Sequence, residues 1–185
     1  MTSTEQYTPG QASGARVEKD GEKWTLIIER ELKHPPEKVW TALTDPEHLR
    51  EWAPYDADRN LGSTGTATLT TVGAPTPHVT ETQITRAEAP RVLEFSWGGQ
   101  DIRWQLEPSA NGGTRLTLWH NIDRRFVAMG AAGWHVCLDI MDRALSGKQG
   151  KRIVGMDAMS FDGWHRLHRE YAQQFGVENP GSSHS

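Results

Sequence analysis

Residues 29–54 read ERELKHPPEKVWTALTDPEHLREWAP, and the hydrophobic period changes near the middle of this stretch. Apolar and polar residues alternate up to Leu32, which is typical of a β-strand. Proline suits the first turn of a helix, where its missing N–H costs nothing, so Pro36 predicts a helix start. Asp45 predicts the N-cap of a second short helix, which Pro54 ends. The stretch therefore predicts a strand followed by two short helices.

The middle of the chain has the pattern of an antiparallel sheet. Alternating segments are Thr66–Val72, His78–Ala87, Val92–Trp97, Ile102–Glu107 and Arg115–Ile122. Gly98-Gly99 and Asn111-Gly112 supply hairpin turns between the last three segments. Apolar residues then recur every three or four positions over Trp134–Leu145, which predicts a long amphipathic helix. A final helix is predicted over Phe161–Phe175, where the same spacing returns.

A sheet with one long amphipathic helix must bury that helix against one of its faces. A strongly twisted sheet curls around such a helix. The predicted fold class is α+β, a helix-grip fold in which a curved antiparallel β-sheet wraps around a long C-terminal α-helix. Two short helices follow the first strand, and an additional helix lies at the C-terminal end. We expect a domain over residues 21–176, with a core at 23–147 and a helical extension at 148–176. Residues 1–20 and 177–185 are predicted to be disordered tails because they are polar.

Composition narrows the classes of function. The chain has 185 residues and a formal net charge of −4, which suits one domain that binds neither nucleic acid nor an anionic membrane. No segment approaches the roughly 18 apolar residues of a membrane span, and residues 1–20 carry no apolar run, so we predict a cytoplasmic protein. Cys137 is the single cysteine, which excludes an intrachain disulfide and a multi-cysteine zinc site. We predict no metal and no cofactor.

Three sets of motifs resemble a known family. Residues 35–54 resemble its helix pair, APRVLEFSWGG (89–99) and GGTRLTLWHNI (112–122) resemble two hallmark strands, and GAAGWHVCLDIMDRALSG (130–147) resembles the start of its long helix. Together they resemble the SRPBCC superfamily of START and birch-pollen-allergen-like domains. Within it, residues 24–147 resemble bacterial proteins of the activator-of-heat-shock-protein-ATPase-homologue type.

The resemblance implies a cavity between the sheet and the long helix that holds a hydrophobic or amphipathic small molecule. Some members of the superfamily are cyclases, dehydratases or hydrolases, and others only bind. Eukaryotic co-chaperones of the group carry an additional N-terminal domain, whereas residues 1–20 here are a short polar segment, which disfavours that role.

Strand alternation assigns candidate ligand-contacting residues to the face that looks toward the long helix. Trp52 belongs at the mouth made by the two short helices, as a plug or a gate. In the strand that carries His78 and Thr80, both sets of alternating residues are polar. The sequence therefore does not decide which set faces the long helix. The predicted ligand-binding residues are Trp52, His78, Thr80, Phe95, Trp97, Trp104, Leu118, His120, Trp134, Leu138 and Met141.

His120 falls on the inner face, and three interpretations stay open. It is a core histidine satisfied by a hydrogen bond, a polar anchor or proton donor for a ligand, or a metal ligand without a second ligand at a recognisable spacing. In an enzyme it would act as general acid or base, with His78 or Tyr55 as its partner.

We predict a small-molecule-binding domain with an internal hydrophobic cavity. The alternatives are a cyclase-, dehydratase- or hydrolase-type enzyme that uses His120, and a protein-interaction or stress-response module related to chaperone ATPase activators. Trp119 falls in the outward phase, so we expect it at a homodimer interface or beneath the helix Phe161–Phe175. Cys137 is predicted to be an inert buried thiol.

Overall fold

The computed structural model describes residues 9–73, 76, 78–148 and 152–177. The strands are β1 (Ala15–Asp20), β2 (Lys23–Leu32), β3 (Tyr55–Ala57), β4 (Gly65–Thr71), β5 (His78–Ile84), β6 (Arg86–Glu88), β7 (Val92–Trp97), β8 (Gln100–Pro108) and β9 (Thr114–Asn121). The α-helices are α1 (Pro36–Thr44), α2 (Pro46–Trp52), α3 (Val127–Leu145), α4 (Met156–Met159) and α5 (Asp162–Phe175).

The strands of the described residues form two antiparallel sheets. The main sheet has the order β1-β2-β9-β8-β7-β6, and the small sheet has the order β3-β4-β5. The sheets meet between β5 and β7, where the Ser96 amide donates to the Thr82 hydroxyl oxygen at 2.9 Å. Helix α3 packs against β2 and against the helix pair. The protein is therefore α+β with the predicted helix-grip fold.

Helices α1 and α2 begin at the proline and capping residues that the sequence predicted. Pro36 occupies the first turn of α1, and Pro35 precedes it in an extended conformation. The Asp45 carboxylate accepts a hydrogen bond from the Glu47 amide at 2.9 Å and so caps α2. Leu43 and Leu49 are buried between the pair and the rest of the core. The predicted strand and two helices are confirmed.

The prediction of a disordered tail over residues 1–20 is wrong at Ala15–Asp20, which form β1. This strand is at the edge of the main sheet, and the Arg16 guanidinium contacts the Glu29 carboxylate at 2.9 Å. An edge strand with one solvated face needs few apolar residues. The polar composition of residues 15–20 is therefore compatible with a strand, although it led to the prediction of disorder. Residues 1–8 and 178–185 lie outside the described residues.

Helix α3 begins at Val127, seven residues before the predicted start at Trp134. Gly130 and Gly133 interrupt the apolar period there, and glycine is a poor helix former. Their absence of side chains has a packing role, because a Cβ at Gly130 would lie 2.8 Å from the Ile122 Cδ1 atom. A larger residue at this position would therefore have to displace the end of the Ile122 side chain.

Helix α5 packs against α3 rather than over Trp119, so the expected cover of Trp119 by Phe161–Phe175 is wrong. The half-buried Trp119 ring lies 4.9 Å from the Arg103 guanidinium carbon, a cation–π contact on the outer face of the sheet. None of the described helices is long and apolar enough to span a bilayer.

A candidate ligand pocket beneath helix α3

Three tryptophan rings, from α2, β8 and α3, pack against one another in the core. The Trp104 ring meets Trp134 edge-on at 5.4 Å and Trp52 at 6.0 Å. Trp52 is 1% exposed, and its Nε1 donates to the Ala42 carbonyl oxygen at 2.9 Å. Trp52 is therefore a plug in the core, and the interpretation as a mobile gate is not supported by this packing.

Beneath the N-terminal half of α3 lies an apolar pocket of about 360 Å³, which we call the α3 pocket. Its volume falls in the range of roughly 300–1,000 Å³ that is typical of small-molecule sites. Three predicted ligand-binding residues, Trp97, His120 and Trp134, line it. The other described lining residues are Pro54, Gln100, Ile122, Phe126, Met129, Gly130, Gly133, Cys137, Ile153, Val154, Gly155, Ala158 and Trp164.

The outer wall of the α3 pocket comes from residues 153–158, which connect α3 to α5. The Arg152 guanidinium holds this segment by donating to the carbonyl oxygens of Ala53 at 2.6 Å and Tyr55 at 2.9 Å. Four residues later, the Met156 amide donates to the Gly73 carbonyl oxygen at 2.8 Å. The wall is thus fastened at both ends to the chain around the small sheet.

Gly133 leaves part of the pocket open on the side of α3. A Cβ placed there would meet no atom closer than the Trp164 Nε1 atom, at 4.0 Å. Because Gly133 lines the pocket, a larger side chain at this position would enter the empty volume.

Two hydrogen bonds fix the state of His120, which is 2% exposed. The Trp134 Nε1–H donates to the His120 Nδ1 atom at 3.0 Å. The His120 Nε2 atom lies 3.0 Å from the Gln100 Oε1 atom. Burial lowers the pKa of His120 from 6.5 to about 4. The imidazole is therefore neutral at neutral pH, and both ring nitrogens are engaged.

The predicted catalytic partners do not reach His120. His78 is exposed on β5 of the small sheet. Tyr55 is buried beside Phe95 and Trp97, at ring-centre distances of 6.0 Å and 5.2 Å, and burial raises the pKa of its hydroxyl. With both of its nitrogens occupied, His120 has no free position for a metal ion or for proton transfer in this arrangement.

The family model of the Activator of Hsp90 ATPase homolog 1-like proteins matches residues 33–146. The chain belongs to this family. The match runs from the residues just before α1 to the end of α3, so the pocket wall at residues 153–158 and the lining residue Trp164 follow the matched segment. Among the curated proteins, none matches this chain.

Solved structures share the fold of this family member at low sequence identity. A conserved protein of unknown function from Enterococcus faecalis aligns with a TM-score of 0.68 and 16% identity, over 89% of this chain and 92% of that chain. CalU16 from Micromonospora echinospora aligns with a TM-score of 0.64 and 22% identity, over 100% of both chains. A protein from Bordetella parapertussis gives 0.63 and 25%, over 95% and 96%.

The remaining predicted site residues lie away from the α3 pocket. The core contains Trp52, Phe95, Trp104, Leu118, Leu138 and Met141. His78 and Thr80 pair with Thr71 and Leu69 in the small sheet. Cys137 lines the pocket and is buried as predicted, with 3% of its surface exposed, and burial raises the pKa of its thiol to about 12.

Gln100 was missed in the sequence, although its position carried a signal. It lies two residues before Ile102, which is opposite His120 in the register of β8 and β9. Extending the alternation of β8 by one step puts Gln100 on the inner face. The wall at residues 153–158 had no comparable signal, since it belongs to no long periodic element.

A second depression, of about 460 Å³, lies around Glu94, Arg103 and Trp119. Arg103 contacts the Glu94 carboxylate at 3.5 Å, and both side chains are partly exposed. The described lining of this depression includes charged side chains, whereas that of the α3 pocket includes none, so the α3 pocket is the better candidate for an apolar ligand.

Proposed function

We propose that the protein binds an apolar or amphipathic small molecule in the α3 pocket. The observation that carries this proposal is the make-up of the pocket, which combines about 360 Å³ of volume with mostly apolar described walls and two polar side chains, Gln100 and His120. Ligand sites have this composition because burial of apolar surface supplies affinity and a few polar groups supply orientation.

The packing around the pocket supports a preformed site. Trp134 is held by its hydrogen bond to His120, and the Trp97 Nε1 donates to the Thr71 hydroxyl oxygen at 2.9 Å. Two aromatic walls are therefore fixed before a ligand enters, which lowers the ordering cost of binding.

An engineered side chain at Gly133 tests the proposal. We expect wild-type protein to bind indane, an apolar probe without polar atoms, with saturable chemical-shift changes at residues of the pocket. Gly133→Leu should weaken this binding at least tenfold, because the leucine side chain occupies the pocket.

Ala144→Leu is the matched control. It adds a leucine to the same helix at a half-buried position outside the pocket, so its affinity for indane should equal that of the wild type. Equal affinities of Gly133→Leu and wild type, with both proteins folded, would overturn the proposal, as would absence of indane binding to wild type.

A further inference from the structure

The hydrogen bonds around His120 have a fixed direction. An indole N–H only donates, so the Trp134 bond requires an unprotonated His120 Nδ1 atom. A neutral imidazole then carries its proton on Nε2. That N–H needs an acceptor, and an amide NH₂ group is not one, so the Gln100 atom at 3.0 Å is the carbonyl oxygen.

The direction of the His120–Gln100 hydrogen bond also fixes the orientation of the Gln100 side-chain amide. Its Oε1 atom is turned toward His120, so its NH₂ group points away from the ring. No described residue accepts a hydrogen bond from the Gln100 Nε2 atom. The half-buried Gln100 side chain lines the α3 pocket and also an adjoining open depression that Lys23, Asp101 and Asp123 line. A partly buried donor without a protein partner is satisfied by a ligand or by water.

We propose that the Gln100 NH₂ group is the polar anchor of the α3 pocket and that the ligand is an apolar molecule with one neutral hydrogen-bond-accepting oxygen, such as a ketone. This inference rests on the proposed function and names the class of ligand. His120 is a positioning residue. The Trp134 N–H fixes the proton of His120 on Nε2, and that Nε2–H turns the carbonyl oxygen of Gln100 toward the ring.

We infer a neutral acceptor because the described lining of the α3 pocket has no charged side chain. The described residues that line the pocket include no lysine, arginine, aspartate or glutamate. A carboxylate in the pocket would lose its hydration without gaining a cationic partner, which is costly. A carbonyl oxygen loses less hydration, and two N–H groups of Gln100 are available to replace it.

The test compares indanone with indane, which share a bicyclic skeleton and differ by the ketone oxygen. Kd values for both probes are measured by NMR titration on wild type and on Gln100→Met, which keeps the chain length and removes the donors. We expect the ratio of the indane Kd to the indanone Kd to fall about tenfold in the variant, the value of one buried hydrogen bond.

Gln100→Glu is the second variant. Its carboxylate still accepts from His120 but presents an oxygen in place of the NH₂ group, so the ratio should fall at least as far as in Gln100→Met. If the ratio of the indane Kd to the indanone Kd is unchanged in both variants, the Gln100 NH₂ group does not bind the ligand oxygen. That result would leave the proposed function intact. If neither probe binds wild type, the proposed function fails first.

Discussion

At the scale of single residues, His120 combines deep burial with two directed hydrogen bonds. The sequence left three roles open for this side chain, and its surroundings favour the satisfied core histidine that also orients a neighbour. Alternation along β9 was enough to place His120 on the inner face. Its bonds could not be predicted, because Trp134 and Gln100 lie on other elements and meet it only in the folded protein.

The pKa of His120 makes a prediction about stability. The unfolded chain binds a proton near pH 6.5 and the folded protein only near pH 4, so protons favour unfolding as the pH falls through this window. The stabilisation is complete above pH 6.5, and about 3 kcal/mol of it is lost by pH 4.

The measurement is the free energy of unfolding in urea at several pH values for wild type and His120→Gln. Carboxylates titrate in both proteins, so the difference between the two curves isolates His120. We expect wild type to lose about 3 kcal/mol more than the variant between pH 6.5 and pH 4. Parallel curves would show that His120 is not the group that resists protonation.

At the scale of elements, the segment before β1 and helix α5 are joined through one hydroxyl group. The Tyr171 hydroxyl lies 2.7 Å from the His135 Nδ1 atom and 3.2 Å from the Ser13 amide nitrogen, and it donates to the Ser13 carbonyl oxygen at 3.0 Å. His135 belongs to α3, so this hydroxyl joins three parts of the chain.

Tyr171→Phe should therefore destabilise the protein by roughly 1–3 kcal/mol, because it removes the hydroxyl partner of the buried His135 Nδ1 atom and of the Ser13 backbone. Amide hydrogen exchange at Ser13 should accelerate, and urea unfolding gives the loss of stability. Gln173→Ala, at an exposed position of the same helix, is the control and should change stability by less than about 0.5 kcal/mol. Equal stability of both variants contradicts this role of the hydroxyl.

Elements with strong local signals were predictable, and those stabilised by distant contacts were not. The helix pair carries its own prolines and its Asp45 cap, so its sequence predicts it directly. Strand β1 pairs with β2, and the first turns of α3 contain Gly130 and Gly133, which interrupt the apolar period. Neither β1 nor the first turns of α3 therefore shows the apolar periodicity from which a strand or a helix is predicted.

At the scale of the whole molecule, the interior under α3 is divided in two. Trp104 packs edge to face against Trp52 and Trp134, and Leu138 and Met141, which the sequence placed at the cavity, are buried in the core. The open volume lies under the N-terminal half and is lined on its outer side by residues 153–158. Strand alternation therefore predicted an aromatic interior, whereas the division between packed core and pocket depends on the relative position of the elements.

Native mass spectrometry tests the central claim, ligand binding in the α3 pocket, most directly. Wild type, Gly133→Leu and Ala144→Leu are purified identically from the source cells and sprayed under native conditions. We expect a small-molecule adduct of one mass on wild type and on Ala144→Leu, and no such adduct on Gly133→Leu. An adduct retained equally by all three proteins, or by none, would contradict it.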